Sequence, residues 1–126
     1  MKNRILLVDD DHDIVAGTSM RLRAAGYETS VAYDGDTGYA AAVKTHPDAI
    51  VLDIRMPDKT GIETLDELKE NATTRGIPVV MLSASLGDQA TSLDHGARFF
   101  LRKPYLGSDL VQAVDAAVND SNDSMN

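Results

Sequence analysis

The sequence contains no cysteine, which excludes disulfide cross-links and thiolate metal sites alike. Positive charge is scarce: 12 Lys and Arg stand against 20 Asp and Glu, for a formal net charge of −8. That balance argues against nucleic acid or an anionic membrane as a direct partner. No apolar run approaches the length of a membrane span, and the first residues enter a strand pattern rather than a signal peptide. The expected location is therefore the cytoplasm. Long internal repeats and interior low-complexity linkers are missing too. Only Asn119–Asn126 has the composition of a disordered segment, so one domain is expected over residues 1–119 and a disordered acidic tail over 120–126. The 126 residues, 43% hydrophobic and 25% charged, suffice for one ordinary globular core and not two.

What is there is a rhythm of short apolar runs. Arg4-Ile5-Leu6-Leu7-Val8 ends in Asp9-Asp10-Asp11. Ala49-Ile50-Val51-Leu52 follows the breaker pair His46-Pro47 and ends in Asp53. Val79-Val80-Met81-Leu82 follows Gly76-Ile77-Pro78 and ends in Ser83. Each run is too short for a helix and suits a strand buried on both faces. Tyr27–Tyr33 and Phe99-Phe100-Leu101 complete five predicted strands, the last leading to Lys103-Pro104. Between them the spacing predicts helices. The first carries Ile14, Thr18, Leu22 and Ala25 on one face, stopped by Gly26. The second runs over about 36–44 with Gly38, Tyr39 and Ala42 inward, and the third has Ile62, Leu65 and Leu68 inward. A short fourth spans 88–95, and the last presents Leu106, Leu110, Val111, Val114 and Val118. Strands separated by single helices require crossover connections, hence a parallel sheet with helices on both faces.

In such a sheet the carboxyl ends of the strands frame the crevice where ligand chemistry collects. Asp9, Asp10, Asp53, Ser83 and Lys103 all fall on that edge. Crowded carboxylates repel, and a divalent cation relieves them. A set of oxygen ligands without His or Cys favours a hard ion such as Mg2+, which accepts phosphate oxygens as co-ligands. Lys103 is a point charge suited to a phosphate oxygen, and the Ser83 hydroxyl can donate to another. A carboxylate between metal, lysine and hydroxyl is placed to attack phosphorus and form an aspartyl-phosphate. Asp11 and Asp13 read instead as solvated acids at a helix N-terminus, where the dipole favours them. His12, His46 and His95 are scattered over helix ends and form no ligand set.

The order Val8-Asp9-Asp10, Leu52-Asp53 with Met56-Pro57 and Gly61, Leu82-Ser83-Ala84, Gly96-Ala97 and Leu101-Arg102-Lys103-Pro104 closely resembles the receiver domain of two-component response regulators. The match runs from Ile5 to about Val118. The resemblance implies a flavodoxin-like (βα)5 doubly wound fold with strand order 2-1-3-4-5. It implies that Asp53 accepts a phosphoryl group from a phosphohistidine on a sensor histidine kinase or histidine phosphotransfer protein. Asp10, Asp53 and the Arg55 backbone carbonyl would ligate Mg2+, with Asp9 acting through a metal-bound water. Lys103 would pair with Asp53 at rest and with the phosphoryl group afterwards, while Ser83 and Phe100 take the two switch positions. The resemblance also suggests that a tight turn aims Lys103 at Asp53. A cis Lys103–Pro104 bond, costing only about 0.5–1 kcal/mol over trans, is expected there. Such a domain is no enzyme toward other molecules and catalyses only its own phosphorylation and dephosphorylation. Its output is a changed surface on the fourth helix, fifth strand and fifth helix, read by a downstream protein. A monomer or weak dimer is expected.

Two residues depart from the commonest pattern of that family. Arg55 replaces a small polar residue and could brush an incoming phosphoryl group, and Phe100 replaces a tyrosine, leaving burial alone to work the switch. Two other functions fit the fold less well. A phosphohydrolase of the haloacid-dehalogenase type needs a second acid two residues after its nucleophile, where Arg55 stands. A flavin-binding module needs Ser, Thr and Gly after the first strand, where Asp9-Asp10-Asp11 stands.

Overall fold

A computed structural model describes residues 3–123, with side chains through Asn119. Five strands alternate with five helices: β1 (Arg4–Val8), α1 (His12–Ala24), β2 (Glu28–Ala32), α2 (Gly35–Thr45), β3 (Ala49–Asp53), α3 (Gly61–Glu70), β4 (Val79–Ser83), α4 (Asp88–Asp94), β5 (Phe99–Arg102) and α5 (Gly107–Asp123). The sheet is parallel throughout, in the order β2-β1-β3-β4-β5. The flavodoxin-like expectation holds.

The apolar runs become the inner strands, and β3 and β4 are buried at every position. Alternation divides their side chains between two cores. Leu6, Val8, Ile50, Leu52, Val79 and Met81 face one way, against Ala42 of α2 and Leu65 and Leu68 of α3. Ile5, Leu7, Val51, Val80 and Leu82 face the other, against Val15 and Leu22 of α1 and Leu110, Val114 and Val118 of α5.

Helix starts follow local chemistry. Asp11 caps α1 by accepting from the Asp13 and Ile14 amides, Asp34 caps α2 through the Thr37 amide, and Thr60 and Glu63 form a capping box on α3. Gly26, at φ 100°, takes the left-handed turn after α1.

Three expectations are corrected. The buried face of α1 is Val15, Ser19 and Leu22, not Ile14, Thr18 and Ala25: Ile14 is exposed, and Ala25 lies beyond the helix as its C-cap. Ser19 can face inward because its hydroxyl pairs with Thr29 Oγ1 at 2.6 Å, and a partnered hydroxyl is not costly to bury. Leu106 precedes α5 and is 69% exposed. Finally, α5 continues through Asp123, so the backbone of 120–123 is helical where composition suggests a tail; residues 124–126 lie outside the described residues.

A candidate phosphoacceptor site at the sheet edge

The edge is assembled by backbone bonds that carry the ladders past the last strand residues. The Asp9 amide donates to Ala32 O at 3.2 Å, the Ile54 amide to Leu82 O at 3.0 Å, and the Lys103 amide to Ser83 O at 2.8 Å. The loop after Asp53 is closed by the Gly61 amide, which donates to Ile54 O at 2.9 Å. Only glycine fits at that position: a Cβ on residue 61 would lie 2.3 Å from Asp53 O and 2.8 Å from Ile54 Cα. The Lys103–Pro104 bond is cis.

Asp9 and Asp53 are each 4% exposed, and Asp10 stands in solvent beside them. One carboxylate oxygen from each of the three lies within 4.8 Å of the others. Lys103 Nζ is 3.0 Å from Asp53 Oδ1 and 3.3 Å from Asp9 Oδ2. Asp9 Oδ1 also accepts from the Asp11 amide at 3.0 Å. Burial pushes the Asp53 carboxyl up to about 6, against the Lys103 hydrogen bond and with help from the Asp9 and Asp10 charges. Burial works against the Lys103 ammonium, yet its hydrogen bond to Asp53 and the Asp53 and Asp9 charges outweigh it and hold the proton more firmly than usual. The donor set, three carboxylates converging with no nitrogen or sulfur ligand among them, fits a hard divalent cation.

Asp9, Asp10, Asp53 and Lys103, each picked out in the sequence, thus meet in one place. Ser83 is fully buried at the end of β4, and its hydroxyl donates to Asp88 Oδ2 at 2.6 Å. Phe100 lies within β5, half-buried against the core cluster that includes Leu65, Leu68 and Met81. The Arg55 guanidinium rests on Asp88, with Nε 3.2 Å from Oδ2 and a terminal nitrogen 3.0 Å from Oδ1. Asp88 was not singled out by the sequence, which marks it only as a helix start. The one available signal is its place five residues after Ser83, and it depends on the path of the intervening loop. Of the histidines, His12 stacks on Tyr33 at 3.8 Å, His46 caps α2 with a positive φ, and His95 pairs with Asp66 at 2.7 Å.

A doubly wound parallel sheet with clustered acids and a lysine at its carboxyl edge defines a flavodoxin-like domain with a site suited to phosphate chemistry. Residues 5–115 match the response regulator receiver domain family, and the chain belongs to it. It is 42% identical over 115 residues to the transcriptional regulatory protein PrrA of Mycobacterium leprae, covering 90% of this chain and 48% of that protein. Over 106 residues it is 43% identical to the response regulator PleD of Caulobacter vibrioides, covering 82% of this chain and 23% of that one. The chain therefore spans about half the length, or less, of these curated relatives. Among solved structures it superposes on a CheY-like receiver domain protein of Methanospirillum hungatei with a TM-score of 0.91 at 28% identity, covering 98% and 99% of the two chains. The receiver domain of the sensor histidine kinase PA1611 of Pseudomonas aeruginosa, solved with magnesium coordinated in its active site cleft, gives 0.87 at 26% identity over 94% and 99%.

Proposed function

We propose that Asp53 is the phosphoacceptor of this receiver domain, taking a phosphoryl group from a phosphohistidine on a sensor histidine kinase or a histidine phosphotransfer protein. The observation that carries the reading is Asp53 itself, a nearly buried carboxylate held 3.0 Å from the Lys103 ammonium beside two further acids. An Asp53 oxygen attacks phosphorus, the phosphorus–nitrogen bond breaks, and its electron pair stays on the departing imidazole. Lys103 then turns from the carboxylate to a phosphoryl oxygen, and the Ser83 hydroxyl donates to another. Asp9, Asp10, Asp53 and the Arg55 carbonyl would hold Mg2+, which when bound offsets the negative charge on the transferring group. The magnesium in the related Pseudomonas receiver supports this assignment. The domain promotes its own phosphorylation and dephosphorylation and acts on no other substrate.

The output is a change in the surface of α4, β5 and α5, read by a downstream protein. An open groove between β5 and α5, lined by Phe99, Leu101, Tyr105, Leu106 and Ala113, supports a protein partner there. A net charge of −8 makes the domain itself a poor surface for nucleic acid or membrane. No described helix is long and apolar enough to cross a membrane. We place the domain in the cytoplasm, as a monomer or weak dimer.

Incubation with magnesium and acetyl phosphate tests the reading. Mass spectrometry should find one added phosphoryl group, labile to hydroxylamine and missing from Asp53→Asn. Wild-type labelling in that variant would show that another residue is the acceptor.

A further inference from the structure

Resting on Asp53 as acceptor, we propose that Asp88 is a positioning residue for this site: a latch that holds Ser83 and Arg55 at rest and surrenders them to the phosphoryl group. Two side-chain donors, Ser83 and Arg55, converge on this one carboxylate. Ser83 Oγ donates to Oδ2 at 2.6 Å, and the Arg55 guanidinium grips both oxygens at 3.0 and 3.2 Å. The two donors come from different strand ends, Ser83 closing β4 and Arg55 following β3, so Asp88 links the acceptor loop to the first turn of α4.

The environment makes the latch consequential. Ser83 is fully buried, so its hydroxyl cannot exchange its partner for bulk water, and only another acceptor within the site can replace Asp88. The Arg55 side chain is 67% exposed and the Asp88 side chain 18%, so the guanidinium can swing away at small cost while the carboxylate stays sheltered. The helix that carries Asp88 is lightly anchored. It has seven residues, its N-cap Gly87 offers no side-chain bond, and Ser92 is its one buried residue.

A phosphoryl group on Asp53 competes directly with Asp88. It carries a charge of about −1.5 to −2 and three acceptor oxygens, where the carboxylate has a single charge and two. When Ser83 turns to it, Asp88 loses its buried donor, and the start of α4 loses its link to β4. Signal output and acceptor reactivity are thereby opposed at rest by one side chain. Removing that side chain should shift the equilibrium toward the activated arrangement without adding any contact to the phosphoryl group.

The test is the affinity for beryllofluoride, a phosphoryl mimic, in the presence of magnesium, read by fluorine NMR on the intact domain. Asp88→Ala should bind roughly ten- to hundredfold more tightly than wild type, the range of one lost hydrogen bond to a charged group. Asp88→Asn keeps a neutral acceptor for Ser83, retains the shape of the residue, and should fall between the two. Asp88→Glu should move back toward wild type. A folded Asp88→Asn with unchanged or weakened affinity would overturn the latch, since a merely structural role predicts loss and never gain. Binding in the wild type that survives Asp53→Asn overturns the acceptor reading and the latch together. Binding abolished by Asp53→Asn but indifferent to residue 88 overturns the latch alone.

Discussion

Lys103 Nζ lies 3.0 Å from Asp53 Oδ1 and 3.3 Å from Asp9 Oδ2, so one ammonium faces two carboxylates that are each only 4% exposed. One positive charge does not neutralise two buried negative ones, and Asp10 adds a third close by. The surplus shows in Asp53, which burial and the neighbouring acids raise from 3.8 to about 6 despite Lys103.

That shift makes Asp53 a liability for the metal-free fold, with a defined pH window. Its folded value lies above its unfolded value, so between pH 3.8 and about 6 the folded state holds the proton more often. Stability from this group is then present at low pH and falls as pH rises through that window. At pH 7, in EDTA, Asp53→Asn should stabilise the domain by about 1–3 kcal/mol. Near pH 3.5 the gain should vanish. Urea midpoints of both proteins at the two pH values check this, and an equal gap at both would show that ionisation of Asp53 is not its source.

Magnesium should reverse the same liability. Its addition should shift amide resonances at the ends of β1 and β3 and raise the melting temperature of the wild type. Asp10→Asn should weaken both effects while leaving the metal-free spectrum folded, because Asp10 is exposed. Shifts confined to the acidic residues near the end of the chain would place the ion elsewhere.

How much of this was readable in the sequence depends on how local the cause is. The inner strands were legible because a strand buried on both faces needs an unbroken apolar run, as in Ile50-Val51-Leu52 and Val79-Val80-Met81-Leu82. The acid cluster was legible because Asp9 and Asp53 end such runs, and Lys103 because it follows the last predicted strand; parallel topology puts those ends on one edge. The phase of α1 was not, because Ser19 gains its buried place from Thr29 on another element. Leu106 misled for the opposite reason: its spacing fits α5, but the helix begins at Gly107. Asp88 was hidden because its partners, Ser83 and Arg55, meet it only once two loops have taken their courses.

Gly61 offers a test of how tightly the acceptor loop is built. A Cβ there would press on Asp53 O and Ile54 Cα, backbone atoms that cannot give way like a flexible side chain. Gly61→Ala should cost about 1–3 kcal/mol as overpacking. It should also reduce the rate of labelling by acetyl phosphate, because the strain falls on Asp53, the proposed acceptor. A destabilised variant labelled at the wild-type rate would separate the loop from the chemistry.

Phe100 has a proposed part in how the signal leaves the site. Its Cα pairs with Met81 across β4 and β5, and its ring is half-buried against the cluster of Leu65, Leu68 and Met81. With no hydroxyl to satisfy, the ring gains only from burial, worth about 1.5–3 kcal/mol when complete. The structure catches it partway in, so truncation should cost less than in a sealed core. We expect Phe100→Ala to lose about 1–2 kcal/mol, against the 3–5 typical of a fully buried phenylalanine. Activation should then move a population that already leans inward rather than create a new one. Phe100→Tyr adds a hydroxyl that prefers water, and should turn the resting ring outward. Ring resonances followed with and without magnesium and beryllofluoride should therefore shift modestly in the wild type and further in Phe100→Tyr. A wild-type ring fully outward at rest and fully inward on activation would mean that something other than burial sets its position.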